Sequence, residues 1–179
     1  MKHAVVTGAN GFVGSAVVKE LLNNGVSVCA AVHNNRRNNL PENEKLQIVS
    51  CDLSEMRKLS ELLQDNDYDV FYHFAWAGSA GAARADTELQ LKNAQWTVDA
   101  LRAAKEIGCR RFLCAGSIME HETMAAAYTQ GNKPGLGYIY GGGKVIAHIM
   151  CMSVAAKIGI DLIWPEITNA YGIGERSPR

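Results

Sequence analysis

Three side chains in the last third of the chain could together move a proton on and off a hydroxyl: Ser117, Tyr140 and Lys144. A free tyrosine titrates near pH 10, too high to serve as a base at neutral pH. In the run Tyr140-Gly141-Gly142-Gly143-Lys144 a lysine follows four residues later, on the same helix face one turn away. Its positive charge is expected to lower the tyrosine pKa toward a usable value. Ser117 follows the strand-like run Arg111-Phe112-Leu113-Cys114-Ala115 and is placed to hydrogen-bond a reacting carbonyl or alcohol oxygen beside Tyr140. Tyr-x-x-x-Lys arises easily by chance, and by itself it reads as an ordinary exposed helix pair. Its weight comes from standing behind Ser117 and behind the glycine turn that opens the chain.

That turn is Thr7-Gly8-Ala9-Asn10-Gly11-Phe12-Val13-Gly14. It lies between a buried strand, His3 to Thr7, and a helix from Phe12 to Asn24 ended by Gly25. In that context Gly8 permits the tight turn, Gly11 lets backbone approach a pyrophosphate, and Gly14 lets the helix pack close to the sheet. The helix N-terminus then offers N–H groups and a partial positive charge to phosphates, with Asn10, Phe12 and Val13 completing the turn. The implied ligand is a nicotinamide dinucleotide, with Lys144 within reach of the nicotinamide ribose. NAD sites usually carry an acid at the end of the second strand. Here that position reads Val32-His33-Asn34-Asn35-Arg36-Arg37, with no acid. An arginine can pair with a 2′-phosphate, so His33 and Arg36 favour NADP over NAD. The plainer reading is that Arg36 and Arg37 are solvated loop charges.

The elements that must position these residues alternate between β-type and helical periodicity. Strands are predicted at Ser27 to Val32, Leu46 to Ser50, Asp69 to Phe74, Arg111 to Ala115 and Ile160 to Trp164. Helices are predicted from a Ser54 cap to about residue 64, from Ala85 to Ile107 with Gly108 following, and from Tyr138 to Lys157. Alternation of this kind predicts a single α/β domain over residues 1–179, a Rossmann-type doubly wound parallel sheet with helices on both faces. Three consecutive glycines cost a helix roughly 1 kcal/mol each relative to alanine. The start of the last helix is therefore expected to fray, or to be approached closely by other backbone.

Composition limits what the chain can be. At 179 residues and 47% hydrophobic content it can bury one good core. Lysine plus arginine and aspartate plus glutamate number 18 each, which gives no reason to expect nucleic acid or a membrane surface as partner. The five cysteines are odd in number and unpaired by any C-x-x-C spacing, so neither a disulfide framework nor a metal site is expected. The chain enters a strand almost directly after Met1, and no apolar run reads as long enough to span a bilayer. A reducing cytoplasm is the expected location.

Phosphate-binding turn, then serine, then Tyr-x-x-x-Lys is the order found in short-chain dehydrogenases/reductases. From Lys2 to about Gly174 the chain resembles the extended branch, the NAD(P)-dependent epimerase/dehydratase family, whose turn reads T-G-x-x-G-x-x-G. Cys51-Asp52-Leu53 resembles the D-[LV] element, which implies that Asp52 meets the adenine amino group with Leu53 beside it. His73-Phe74-Ala75-Trp76 resembles the H-x-A-A segment that walls the adenine ribose and pyrophosphate. Trp76 departs from the usual small residue, and its role reads as substrate-facing or as packing. His73 reads as a core histidine rather than a catalyst. Asn93 matches the asparagine of an N-[VA]-x-x-[TS] segment, either holding a water or the backbone behind Lys144 or serving structure alone. Asn169-Ala170-Tyr171-Gly172-Ile173-Gly174 is similar to N-x-Y-G-P-G, with Ile173 replacing the proline and Glu166 standing where an arginine is common.

The resemblance implies an enzyme acting on a nucleotide-activated sugar. Ser117 is followed by Ile118 and Met119 rather than an Asp-Glu pair, which disfavours a sugar 4,6-dehydratase. Glu120, His121 and Glu122 read as a solvated loop, or as acids facing substrate. Keto-sugar reduction and epimerisation by oxidation and re-reduction both remain, the first suited to NADPH and the second to a recycled NAD. A dinucleotide-binding sensor without turnover is the reading from another class, though such proteins typically lose the tyrosine or lysine kept here. Family members carry a further C-terminal substrate lobe, so the chain is expected to be a truncated or a minimal form. A homodimer through a four-helix interface is expected, with Ile146, Ile149, Met150 and Val154 supplying apolar surface.

Overall fold

A computed structural model describes residues 1–33, 40–63, 67–131, 133–172 and 175. The first strand, β1 (His3–Thr7), is apolar almost throughout because both its faces are covered. Val5 points into one core with Cys29 and Ala31, whereas Ala4 and Val6 point into another with Val28, Ala30 and Val32. The register pairs Val5 with Cys29 and Val6 with Ala30, so β1 and β2 (Ser27–Val32) divide their side chains between the same two layers.

With β3 (Leu46–Ser50), β4 (Val70–His73), β5 (Arg111–Cys114) and β7 (Asp161–Ile163), these strands form one parallel sheet in the order β3-β2-β1-β4-β5-β7. The order reverses between β1 and β4. Connections leave in opposite directions there and open a crevice at the strand ends. α1 (Phe12–Asn23) covers one face through Val18, Leu21 and Leu22. α3 (Thr87–Glu106) and α5 (Tyr138–Ile158) cover the other through Val98, Leu101, Ala104, Cys151 and Ala155. The Asp86 carboxylate accepts the Leu89 N–H at 3.0 Å and fixes the start of α3. The doubly wound α/β architecture expected from the alternation is the one observed.

Several local expectations are corrected. The segment after β3 is a 3-10 helix, Leu53–Lys58, running into the four-residue α2 (Leu59–Leu62). Its cap is Asp52, which accepts the Ser54 N–H at 2.9 Å, rather than Ser54. α3 begins at Thr87 behind its Asp86 cap rather than at Ala85, which closes a preceding 3-10 turn, Gly81–Ala85. Three elements were not anticipated: β6 (Gly116–Ser117), its parallel partner β8 (Glu166–Ile167), and α4 (Met119–Tyr128). α5 passes the length and apolarity expected of a bilayer span, with 21 residues and mean hydropathy 1.3, contrary to the reading that no run does. It packs as a core helix, with Tyr140, Gly143, Lys144, Ala147, Cys151 and Ala155 buried.

Two glycines of the triplet in α5, Gly141 and Gly143, are explained by close approach rather than fraying, since the helix is continuous from Tyr138, whereas Gly142 faces open space. A Cβ on Gly141 would collide with Thr123 Oγ1 and Met119 O of α4, and one on Gly143 would lie 3.0 Å from Gln90 O of α3. The same logic sets α1 against β1, where a Cβ on Gly14 would overlap the Gly8 carbonyl. Gly14→Ala is therefore expected to destabilise the chain by about 3 kcal/mol through overpacking against rigid backbone. Urea unfolding of the variant beside wild type measures this, and a loss below a few tenths would contradict the packing described.

Candidate active site

The glycine turn forms a cradle at the C-terminal end of β1. Gly8 adopts φ 64°, a left-handed conformation that permits the sharp exit from the strand. The Gly11 N–H donates to Gly8 O at 3.0 Å and closes the turn. A Cβ on Gly8 would stand 2.7 Å from Ala75 N, so turn and β4 exit are in backbone contact. Because Gly11 is the α1 cap, no cap side chain competes for the first-turn N–H groups, which suits them to phosphate oxygens.

A cavity of about 1010 Å³ opens on this cradle. Gly8, Asn10, Gly11, Phe12, Val13, Gly14, Phe74, Ala75 and Trp76 line it, with Asn169 and Tyr171 from the chain's end. A second hollow, about 370 Å³, adjoins it and contains His33, Asp52, Leu53, Met56 and Trp96. Asp52 bonds His33 Nδ1 at 2.8 Å and Ser54 Oγ at 2.6 Å. The Ser54 hydrogen bonds first, and then His33, hold its carboxyl below the usual carboxylate range. An apolar slot rimmed by a carboxylate, next to a backbone cradle that leaves no room for a Cβ, fits the adenosine and pyrophosphate halves of a dinucleotide. Arg36 lies outside the described residues, as do Ile173 and Gly174.

Ser117, Tyr140 and Lys144 come together across the crevice but line neither hollow. They are 9%, 9% and 4% exposed. β6 carries Ser117, whose side chain acts on the Tyr140 phenol of α5 and lowers its pKa. The Arg84 guanidinium lies 4.3 Å from the Tyr140 ring centroid. Burial nonetheless holds the phenol above its ordinary pKa, against the lowering effects of Ser117 and Arg84. The expected activation by Lys144 is not seen. The ammonium donates to Ala115 O at 2.8 Å and sits 3.7 Å from the Trp76 ring centroid, and burial depresses its pKa.

Trp76 stands between the two halves of the site. It walls both hollows, covers Lys144, and meets the Tyr140 ring edge-on at 6.0 Å. Its Nε1–H donates to Gln90 Oε1 at 2.8 Å, which ties it to α3. Asn93 is committed elsewhere than the cofactor surface: its amide bonds Ala77 N and Ala77 O at 2.9 and 2.8 Å, fixing the segment beyond Trp76. The sequence reading missed Glu120. It is not in a solvated loop but 5% exposed on α4, accepting the Ser117 N–H at 2.8 Å. The available signal was its spacing, three residues past the serine. His121 pairs with Glu166 at 2.7 Å on the surface, and Glu122 is exposed.

His73 is buried at the end of β4, bonded to Thr7 Oγ1 at 2.8 Å. Burial, then the charge of Lys144, press its pKa down to about 3. The folded chain thus holds this imidazole neutral, whereas the unfolded chain protonates it near pH 6.5. The stability it contributes is complete above pH 6.5 and is lost as pH falls toward 3. Between pH 7 and 5 wild type should lose about 2 kcal/mol that His73→Asn does not, measured by urea unfolding at both values. Equal acid sensitivity in the two proteins would contradict the buried neutral state.

A family model, that of the NAD dependent epimerase/dehydratase family, matches residues 4–179. Dihydroflavonol 4-reductase of Hordeum vulgare is 29% identical over 180 residues, covering 89% of this chain and 50% of its own length. UDP-glucuronic acid decarboxylase 1 of Arabidopsis thaliana is 28% identical over 179 residues, covering 94% and 40%. The chain thus spans half or less of the length of these curated relatives. Among solved structures, UDP-glucuronic acid 4-epimerase from Bacillus cereus in complex with NAD superposes with a TM-score of 0.72 at 23% identity, over 95% of this chain and 58% of that one. The Bordetella bronchiseptica enzyme WbmH in complex with NAD+ gives 0.73 at 18% identity, over 94% and 56%. At such identities these two establish a shared fold. With its cradle, its Ser117–Tyr140–Lys144 cluster and a match to the family's own pattern over 176 of 179 residues (4 to 179), the chain belongs to the NAD dependent epimerase/dehydratase family.

Proposed function

We propose that this chain forms the dinucleotide-binding and proton-transfer portion of an enzyme that acts on a nucleotide-activated sugar, by keto-sugar reduction or by epimerisation. The observation that carries the reading is the placement of two buried hydroxyls, Ser117 and Tyr140, with Lys144 one turn further along α5, beside a phosphate cradle. When bound, a nicotinamide dinucleotide would supply the hydride. Gly8, Gly11 and Gly14 would hold its pyrophosphate, with Asp52, Leu53 and His33 at its adenosine end. Ser117 would hydrogen-bond the reacting oxygen, and Tyr140 would give or take its proton. Tyr140 is buried, with the Trp76 ring against it, which limits the access of bulk water to that proton.

Elimination chemistry has no support at the positions after Ser117. Ile118 and Met119 carry no proton, and the Glu120 carboxylate is committed to Ser117, Trp164 and His148. Two observations bear on the cofactor. The lack of an acid on β2 supports NADP, whereas the NAD in both solved relatives supports NAD. A second copy of the chain is the proposed partner on the α3 and α5 face, where Leu91, Ile149, Met150 and Met152 are exposed.

The test is hydride transfer, followed by nicotinamide absorbance, between each dinucleotide and a set of UDP- and dTDP-linked hexoses or their 4-keto forms. Tyr140→Phe should lower the rate by about 10²–10⁴ while leaving cofactor affinity within about twofold. An unchanged rate in Tyr140→Phe would remove the tyrosine from the chemistry, and cofactor binding with no hydride transfer to any sugar would overturn the proposed reaction.

A further inference from the structure

Behind Ser117 lies a buried cluster that the chemistry described so far does not use. A carboxylate taken out of water is costly unless its oxygens are satisfied. Glu120 is 5% exposed, and both of its oxygens are engaged. Oε1 accepts the Ser117 N–H at 2.8 Å and the Trp164 indole N–H at 3.0 Å. Oε2 bonds His148 Nδ1 at 2.9 Å and shares the indole N–H at 3.2 Å. The His148 imidazole stacks on the Trp164 indole, with centroids 4.5 Å apart and planes within 5°.

Two features aim this cluster at the reacting hydroxyls. The first is helical spacing: Tyr140, Lys144 and His148 succeed one another at four-residue steps along α5 and share one face. The helix that carries the proton donor therefore also carries the anchor of Glu120. The second is the strand: Gly116 has no room for a Cβ, which would stand 2.6 Å from the Trp164 ring, so indole and carboxylate close directly over the Ser117 backbone. Ser117 Oγ in turn accepts the Met119 N–H at 3.2 Å, which restrains its rotamer.

We infer that Glu120 is a positioning residue: clamped by His148 and Trp164, its carboxylate holds the Ser117 peptide so that the Ser117 and Tyr140 hydroxyls stay in register. The inference rests on the proposed role of those hydroxyls, but the clamp itself can be read without turnover. Ser117 is tied to the helix of Tyr140 through Glu120 and His148, and that route sets where the two hydroxyls stand.

The experiment compares Glu120→Ala and Glu120→Gln in the full chain by amide hydrogen exchange and by the kinetic assay above. In Glu120→Ala the Ser117 and Met119 amides should exchange about tenfold faster or more, with the rest of α4 and β5 unchanged. Glu120→Gln keeps an oxygen facing the Ser117 N–H and should keep most of the protection. In the assay Glu120→Ala should lower kcat by about 10-fold to 100-fold with KM and cofactor affinity unchanged, and should cost nothing further in a Ser117→Ala background. Ser117 as protected as in wild type, or faster exchange across all of α4, or an equal loss in the Ser117→Ala background, would overturn the clamp. If wild type itself turns nothing over, the reaction proposed above fails and the exchange result alone decides the clamp. Should Glu120→Ala not fold, His148→Gln removes the anchor instead and is judged by the same Ser117 and Met119 amides.

Discussion

The arrangement depends on where a buried ammonium finds its partners. Lys144 is 4% exposed, and an unpartnered charge at that depth would cost several kcal/mol. It is satisfied by the Ala115 carbonyl at the end of β5 and by the face of Trp76 beyond the end of β4. Those two contacts lock α5 to the ends of β4 and β5. Trp76 is fixed to α3 through Gln90, and Asn93 fixes the peptide of Ala77 next to it. The cradle of β1 then contacts Phe74 and Ala75, so a displacement of Lys144 would be felt at the phosphate-binding turn.

Burial also sets the electrostatics of the site, and it opposes the simplest account of the tyrosine. Spacing along a helix puts Lys144 on the face of Tyr140, yet the ammonium points at a carbonyl and an indole. Desolvation then outweighs the lowering effects of Ser117 and of the Arg84 charge, and the phenol stays above its ordinary pKa. The same desolvation depresses Lys144 and keeps His73 neutral. A cation placed beside Tyr140, or the departure of Trp76 from Lys144, would each reverse part of that balance.

Much of this was legible in the sequence because it is carried by local rules. Strand and helix periods fixed the order of the large elements, and glycine spacing located the cradle. Side-chain direction was not legible. Nothing in the spacing shows that Asn93 turns to Ala77, or that Lys144 turns from Tyr140 to Trp76. α4 was missed because its apolar residues do not form a clean stripe, and it is seated by the space left at Gly141. Glu120 was misplaced for a related reason. An acid in Met119-Glu120-His121-Glu122 looks solvated until Trp164 and His148, 44 and 28 residues away, are brought onto it. β6 and β8 are two residues each, too short for any periodicity, yet they hold the serine.

In the function proposed here, the Gly8–Gly14 cradle and the neighbouring Asp52 slot form one dinucleotide site. Calorimetric titration of the chain with NADH and NADPH, beside Gly11→Val, tests it most directly. Wild type should bind at least one dinucleotide saturably and one-to-one, with a loss of about tenfold or more in Gly11→Val, whose side chain would intrude on the pyrophosphate path. Binding of neither dinucleotide, or equal affinity in the variant, would contradict it.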